Sequence, residues 1–254
     1  MNTLLESRNL TKNFQIAKEN EITVLRGVDL HIERGEFVSV MGPSGSGKST
    51  LLYNICGMDR MTSGEVTFKG RELAGLSEPE LAQLRLTEMG FIFQQIHLLR
   101  NLSIFDNIVL SGYLANGRSR TVVNAAAREL MKRTGIEELA DNAITQASGG
   151  QLQRVGICRA LINNPEIIFG DEPTGALNSR ASGEIMDLLE EVNRGGTTVM
   201  LVTHDVRVAA RTHRVLLMMD GELVSEKALG AMTDPGEIAG REEELSAWLL
   251  EKGV

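Results

Sequence analysis

GPSGSGKST, residues 42–50, fits the phosphate-binding pattern G-x-x-x-x-G-K-[ST]. The apolar run at residues 37–41 precedes it and is rich enough in β-branched residues to be a buried strand. Leu51, Leu52 and Ile55 follow it at helical spacing. A strand, a glycine loop and a helix in this order favour a phosphate-binding loop over an ordinary Gly/Ser turn that leads into a helix.

Each part of this loop has a chemical role in the prediction. Glycines let the backbone approach phosphate oxygens, and the N-terminus of the following helix adds unpaired N–H groups and a positive dipole. Lys48 would neutralise the β- and γ-phosphates, and Ser49 would offer its hydroxyl to Mg²⁺. The predicted nucleotide-binding residues are Gly42, Pro43, Ser44, Gly45, Ser46, Gly47, Lys48, Ser49 and Thr50.

The composition indicates how large a core the chain can form and which classes of partner are disfavoured. The chain has 254 residues, 42% of them hydrophobic, which is enough for one large domain or two small ones. A net charge of −8 disfavours binding to a nucleic-acid backbone as the main task. Cys56 and Cys158 lie in apolar helical patterns without metal-like spacing, which predicts reduced core thiols of a cytosolic protein.

The hydropathy pattern predicts a soluble chain. No apolar run approaches the roughly 18 residues that a membrane span needs. The first residues also lack the pattern of a signal peptide. If the protein works at a membrane, we therefore expect it to do so through a partner.

The N-terminal third alternates apolar and polar residues in several places. Residues 4–10 and 23–32 are predicted as half-buried antiparallel strands, joined by a polar loop at 17–21. Phe14 lies between them, and by itself it is either a core aromatic or a platform for a nucleobase. Residues 64–70 predict a short strand closed by a turn, and residues 77–86 a helix capped by Ser77 and Glu80.

Two further buried strands are predicted to end in polar residues. Residues 89–93 end at Gln94, and residues 166–172 end in Asp171 and Glu172. Ligands of open α/β sheets bind at such strand ends. Asp171 therefore suits an outer-shell Mg²⁺ ligand and Glu172 a general base for water, although carboxylates here can also cap the next helix.

The C-terminal third supplies a candidate histidine and a hairpin. Residues 197–202 are predicted as the last buried core strand, and His204 follows it, where we expect a functional role rather than a solvated side chain. Residues 215–219 and 223–225 predict a closing hairpin, joined through Asp220-Gly221 as a type I′ turn.

Helical patterns occupy the middle and the end of the chain. Residues 104–134 predict two helices split by a polar turn at 116–120, and Ser148-Gly149-Gly150 opens another helix, as an ordinary cap or a second anion site. Residues 240–252 predict an amphipathic helix with Glu242–Glu244 in its first turn. Its apolar stripe, Leu245, Trp248 and Leu249, should pack on its own domain.

Taken together, these motifs resemble the ATP-binding subunit of an ABC transporter over essentially the whole chain. Residues 42–50 resemble the Walker A loop, Gln94 the Q-loop glutamine, and residues 167–171 the Walker B strand. His204 resembles the switch histidine, and Phe14 falls where the family stacks an aromatic on adenine. The signature motif is matched by Ser148, Gly149, Gly150 and Gln151.

The resemblance implies a fold and a division of the chain. The fold is α/β: a P-loop NTPase (RecA-like) core with an antiparallel β subdomain and an α-helical insert. One ABC domain would span residues 1–254. Within it, the core and β subdomain would take residues 1–95 and 166–230, the helical subdomain 96–165, and a C-terminal helix 240–252.

Function and partners are implied in the same way. ATP and Mg²⁺ would bind, with Ser49, Gln94 and Asp171 as metal ligands, Glu172 polarising the attacking water, and His204 and Gln94 sensing the γ-phosphate. Residues 148–150 of one subunit would close on the nucleotide held by Lys48 of another, giving an ATP-dependent homodimer. A separate permease would hold the chain at the cytoplasmic face of the membrane, and nucleic acid would not be a partner.

Residues 76–85 and the sequence DEPTGAL at 171–177 resemble the subgroup of macrolide exporters, lipoprotein-releasing complexes and bacitracin-type peptide-resistance transporters. Two positions depart from the family pattern. Ala147 stands where leucine usually opens the signature motif, and Asn178 where the D-loop usually carries aspartate. The alternatives are a soluble ABC ATPase that acts on DNA or the ribosome, and a P-loop kinase that phosphorylates a small molecule.

Overall fold

The computed structural model describes residues 2–17 and 20–254. Within these residues, the strands are β1 (Thr3–Ala17), β2 (Asn20–Glu33), β3 (Phe37–Met41), β4 (Ser63–Phe68), β5 (Arg71–Glu72), β6 (Met89–Phe93), β7 (Ile167–Asp171), β8 (Thr198–Val202), β9 (Arg214–Met219) and β10 (Glu222–Ala228). The α-helices are α1 (Lys48–Ile55), α2 (Glu78–Glu88), α3 (Ile104–Leu114), α4 (Arg120–Arg133), α5 (Gly149–Leu161), α6 (Ser179–Arg194), α7 (Val206–Ala209) and α8 (Ile238–Glu251). Short 3₁₀ turns occur at Glu137–Leu139, Ile144–Gln146 and Pro235–Glu237.

The chain divides into two units. The first unit is Met1–Leu81 with Thr198–Val254, and the second is Ala82–Thr197. The first unit contains an antiparallel sheet in the order β2-β1-β4-β5. The subdomain limits that the resemblance implied remain a prediction.

A mostly parallel sheet in the first unit positions the phosphate loop. β3 is buried at every residue and pairs in parallel with β8 on one side and β9 on the other. β10 completes this part of the sheet as the antiparallel partner of β9. Because β3 and β8 are parallel neighbours, Gly42 after β3 and His204 after β8 lie at the same sheet edge.

The second unit combines a pair of parallel strands with a helical core. β6 pairs with β7 so that Phe93 lies opposite Asp171, which brings the ends of both strands to one edge. Helices α3, α4 and α5 pack around buried side chains that include Ile108, Val123 and Val155. Apolar residues spaced at three and four positions in each helix build this core.

Most predicted elements match the structure. The strands predicted at 37–41 and 89–93 have those bounds, and the two helices of the 104–134 segment are α3 and α4. The closing hairpin is present, with positive φ at both Asp220 (47°) and Gly221 (87°), as a type I′ turn requires. The predicted loop at 17–21 falls partly on Lys18 and Glu19, which lie outside the described residues.

Three expectations need correction. The bounds of helix α6 were not predicted, although Ile185, Leu189 and Val192 are buried along one face of it. The strand at 197–202 is not the last buried strand, because β9 follows it and is buried over its four central residues. Helix α8 begins at Ile238, so Glu242–Glu244 do not lie in its first turn. Its stripe of Leu245, Trp248 and Leu249 is buried as expected.

Both cysteines are core residues. Cys56 and Cys158 are fully buried, and no disulfide joins them. Burial raises the pKa of the Cys158 thiol to about 11, since desolvation disfavours the thiolate. Helices in the described part of the chain are each too short or too polar to cross a bilayer.

Candidate functional site

The phosphate loop has a backbone that glycine makes possible at two positions. Gly42 has φ of 152°, and a Cβ built there would lie 2.0 Å from the carbonyl oxygen of Met218. Gly47 has φ of 102° and lies directly before α1. Side chains at these two positions would force the loop away from β9, so both glycines are required by close packing and by φ.

The same hairpin that crowds Gly42 also holds the loop from the other side. The amide of Gly221, in the β9–β10 turn, donates to the carbonyl of Ser46 at 3.0 Å. The methyl group of Met218 lies 3.0 Å from a Cβ built at Gly47. These contacts fix the loop between β3 and α1 against the hairpin.

Lys48 lies across the mouth of the loop. Its ammonium donates to the carbonyls of Gly42 and Pro43 at 2.8 and 2.9 Å, and the residue is only 8% exposed. No side chain caps the N-terminus of α1, unlike those of α3, α4, α5 and α6 within the described chain.

A buried hydroxyl shows that the loop suits an anionic ligand. The Oγ atom of Ser46 is buried and has no hydrogen-bond partner among the described residues. A cation, an uncapped helix N-terminus and a spare hydroxyl donor within one loop match the requirements of phosphate oxygens.

His204 shares a cavity with the start of the loop. It is exposed, and it lines a cavity of about 420 Å³ together with Gly42 and Pro43. Next to it, Asp205 caps α7 and forms an ion pair with Arg207 at 2.7 Å. The hydrogen bond from Arg207 holds the pKa of Asp205 below its usual value, so this carboxylate stays charged beside His204.

Phe14 is a surface aromatic rather than a core one. Its side chain is 42% exposed, and the ammonium of Lys12 lies 4.7 Å from the ring centroid. Lys12 is itself held by Asp59 and by the carbonyl of Arg60, each at 2.7 Å. A cation over the ring, anchored by two oxygens, favours one orientation of the aromatic surface. The pattern of β1 did not reveal this arrangement, because Asp59 lies 47 residues away.

In the second unit, the structure brings Gln94, Asp171 and Glu172 together. The backbone N–H of Gln94 donates to the backbone carbonyl of Asp171 at 2.9 Å. Gly175 lies between two of the side chains: a Cβ there would be 2.8 Å from Nε2 of Gln94 and 3.1 Å from Oε2 of Glu172. Because Gly175 has no side chain, the side-chain amide of Gln94 and the carboxylate of Glu172 can both lie close to its Cα.

The backbone of Glu172 is unusual. Its φ is 48°, in the left-handed region that non-glycine residues rarely adopt. Such conformations cost on the order of 1–3 kcal/mol and persist where the surrounding structure enforces them, often at active sites. The turn from β7 towards α6, closed by the bond from Gly175 N to Glu172 O at 3.0 Å, holds this conformation.

The signature residues form a capping box at the start of α5. Ser148 Oγ accepts from the amide of Gln151 at 3.3 Å, and Gln151 Oε1 accepts from the amide of Ser148 at 2.8 Å. Ser148 is therefore an N-cap of α5, as one of the two interpretations of this segment predicted. A serine hydroxyl that accepts one bond can still donate its own hydrogen, so capping and anion binding are compatible.

Asn178 shares a cavity with these residues. The cavity has a volume of about 440 Å³ and is lined by both Ser148–Gln151 and Asn178. Asn178 Oδ1 caps α6 by accepting from the amide of Ala181 at 2.9 Å. Asparagine and aspartate are about equally good N-caps, so the departure from the family's aspartate preserves the start of α6 and removes one charge.

Arg154 is a residue of this cavity that the sequence patterns did not single out. One guanidinium nitrogen donates to the carbonyl of Thr134 at 2.5 Å, and another pairs with Glu184 at 2.7 Å. These partners lie 20 and 30 residues away in the sequence, so a local sequence pattern cannot predict them. Arg154 ties α5 to α6 and to the end of α4.

The residues predicted for Mg²⁺ offer oxygen ligands. Ser49 has a hydroxyl, Gln94 an amide oxygen and Asp171 a carboxylate, which are the donor types that Mg²⁺ prefers. Among the described residues, no cluster of three His, Cys, Asp or Glu side chains forms a metal site.

The comparisons with known proteins place the chain in a family. The ABC transporter family model matches residues 25–175. The macrolide export ATP-binding/permease protein MacB of Hahella chejuensis is 43% identical over 255 residues, covering 97% of this chain and 39% of that protein. The pyoverdine export ATP-binding/permease protein PvdT of Pseudomonas fluorescens is 45% identical over 225 residues, covering 89% and 34%. The chain thus spans little more than a third of the length of these relatives.

A solved structure is similar over nearly the whole fold. The dimeric post-hydrolysis state of the ATP-binding cassette MJ0796, bound to ADP and Pi, is 40% identical with a TM-score of 0.83. The similarity covers 90% of this chain and all of that one. It confirms the predicted fold class, an α/β P-loop core with an antiparallel sheet and a helical part. The chain therefore belongs to the ABC transporter family, as one of its ATPase cassettes.

Proposed function

We propose that this chain hydrolyses ATP as the energy-coupling subunit of a membrane export complex, at the cytoplasmic face of the membrane and through a permease. The observation that carries the proposal is the placement of Glu172 and Gln94 around Gly175, at the end of the strand that carries Asp171. A carboxylate next to an amide at a strand end is suited to activating water. The printed names of the MacB and PvdT relatives support the export role.

In this proposal the protein's own groups divide the work of hydrolysis. Lys48 and the N–H groups of the phosphate loop stabilise the negative charge that develops on the transferred phosphoryl group. Glu172 accepts a proton from the attacking water, and Gln94 and His204 position that water and the γ-phosphate. Phe14 stacks on the adenine ring. Ser49, Gln94 and Asp171 would hold Mg²⁺, which would neutralise phosphate charge when bound.

Two copies would share each nucleotide. The capping box at Ser148–Gln151 leaves a hydroxyl and helix N–H groups that could meet the γ-phosphate on Lys48 of a second copy. The dimeric form of the MJ0796 cassette supports this arrangement. Such an isologous pair holds two nucleotides inside one interface.

The predicted permease-docking surface is the helical insert at 105–147 and the loop after Gln94. This loop is rigidly held: Arg159 donates to the carbonyls of Ile96 and His97 at 2.7 and 2.9 Å. Asn107, which is 2% exposed, bonds both the amide and the carbonyl of Leu99. Leu99 nevertheless leaves 47% of its surface exposed. A fixed loop with an outward leucine supports a docking role for this surface.

Leu99→Glu is expected to uncouple the permease while basal ATP hydrolysis by the isolated chain stays within about twofold of the wild type, since exposed substitutions rarely disturb folding. Pull-down with the membrane partner, beside an ATPase assay, measures both effects. Leu98 is less suitable because it packs against the core of the helical unit. A pull-down that succeeds as well as that of the wild type would remove Leu99 from the docking surface.

One experiment separates the proposed function from its competitors. The purified chain is given ATP, and phosphate release is measured alone, with nucleic acid, and after co-purification with the membrane protein encoded by a neighbouring gene. We expect phosphate to be released to water and the rate to change with the membrane partner. Stimulation by nucleic acid alone, or transfer of the phosphoryl group to an acceptor, would contradict the proposal.

A further inference from the structure

The C-terminal helix α8 is firmly attached to the first unit. Leu245, Trp248 and Leu249 pack with Met41 and Leu217 in one buried cluster. Arg241, only 9% exposed, donates to the carbonyls of Gly230 and Ala231 at 3.1 Å. An ion pair between Lys227 and Glu244 at 2.7 Å adds a further tie. These contacts hold α8 in one position on the first unit.

The end of this helix presents unburied apolar surface. Leu250 is 76% exposed and Val254 is 41% exposed. Leu250 has the largest exposed fraction among the large hydrophobic residues of the described chain. A leucine that is this exposed on a well-anchored helix is a candidate contact residue, because its position is set before any partner arrives.

These residues form one side of the cavity that His204 shares with the phosphate loop. The cavity of about 420 Å³ is lined on one side by Leu249, Leu250 and Val254 and on the other by Gly42, Pro43 and His204. Among the residues that line it, His204 carries the one ionisable side chain, and no Lys or Arg is present. Its chemistry thus suits an apolar side chain and not a second phosphate group.

We propose that the end of α8 is part of the nucleotide-dependent interface between two copies of this chain, and that the cavity takes an apolar side chain from the second copy. The inference rests on the proposed nucleotide-bridged dimer. Its basis is continuity: in the proposed dimer the phosphate loop of one copy faces the signature residues of the other. Gly42 and Pro43 of that loop share one cavity with the apolar end of α8. The related MJ0796 cassette is dimeric.

Symmetry doubles the effect of a substitution at this position. In an isologous interface each copy contributes Leu250 once, so one mutation removes two apolar contacts. Leu250→Ser in a Glu172→Gln background should raise the dissociation constant of the ATP-bound dimer at least about tenfold. Leu250→Met, which keeps the apolar volume, should retain dimerisation close to the parent. Val224→Ser is the matched control, since Val224 is 49% exposed on β10, away from this cavity.

The measurement is sedimentation velocity over a concentration series, with ATP, for these three variants and their Glu172→Gln parent. ATP affinity of each monomer is determined separately by calorimetry and is expected to be unchanged. An unaltered dimer in Leu250→Ser would overturn the role of α8 and leave the nucleotide-bridged dimer standing. Equal weakening in Val224→Ser would overturn it as well. A parent that stays monomeric with ATP would overturn both proposals.

Discussion

Glu172→Gln is expected to lower the rate of ATP hydrolysis by about 10²–10⁴-fold, the usual range for the loss of a general base. Glutamine keeps the shape and the hydrogen-bonding capacity of the side chain but cannot accept the proton of the attacking water. Its backbone can keep the left-handed conformation seen at this residue, with φ of 48°, as glutamate does. Folding should therefore be unaffected, and the loss should appear in kcat.

Binding should survive in the same variant. The groups proposed to face phosphate, in the loop at 42–49 and at Ser148–Gly150, are unchanged, so ATP should accumulate and hold two copies together. Size-exclusion chromatography should show a dimer with ATP and a monomer with ADP. Glu65→Gln, at an exposed position on β4, is the control and should behave as the wild type. Full activity of Glu172→Gln would move the general base to another residue.

Lys48→Ala should weaken ATP binding by at least about 10²-fold and abolish measurable turnover. Charge-assisted hydrogen bonds contribute about 1.5–3 kcal/mol each, and 1.4 kcal/mol corresponds to a tenfold change in affinity. The ammonium also bonds the carbonyls of Gly42 and Pro43, so its removal takes away a tie that closes the mouth of the loop. Both effects act on the ground state as well as on the transition state.

Titration calorimetry with ATP measures this loss directly. Arg71→Ala removes a positive charge from the exposed hairpin strand β5 and controls for a general effect of net charge. Thermal unfolding without nucleotide measures the stability that Lys48→Ala loses with the two carbonyl bonds, and so separates lost binding from lost folding. Wild-type affinity in Lys48→Ala would exclude Lys48 from phosphate binding. Lys48→Ala combined with Glu172→Gln should remain monomeric with ATP.

The sequence was most informative where function depends on residues that are close together in the chain. The phosphate loop, the ends of β6 and β7, and the capping box at Ser148 could each be predicted, because local periodicity and short spacings define them. The type I′ turn at Asp220-Gly221 belongs to the same class. In each case the residues that determine the conformation lie within about one turn or strand of each other.

Long-range contacts were not predictable in this way. The anchoring of Lys12 by Asp59 and the bridging role of Arg154 depend on partners 47 and 20 to 30 residues away. The bounds of helix α6 were not predicted, and the residue that caps it is Asn178 and not Asp171 or Glu172, which were considered as possible caps. The cap at Asn178 and the buried face at Ile185 and Leu189 are signals that would have identified it.

The packing of the phosphate loop against the β9–β10 hairpin bears on the thermodynamics of nucleotide binding. Because the backbone at Gly42 and Ser46 is fixed by Met218 and Gly221, the entropy of ordering this loop is lost when the protein folds and not when ligand arrives. Diphosphate and triphosphate nucleotides should then meet the same rigid cradle. Discrimination between them should then come from the charge that reaches the γ-phosphate, on Lys48 and on groups outside the loop, and not from ordering of the loop when nucleotide binds.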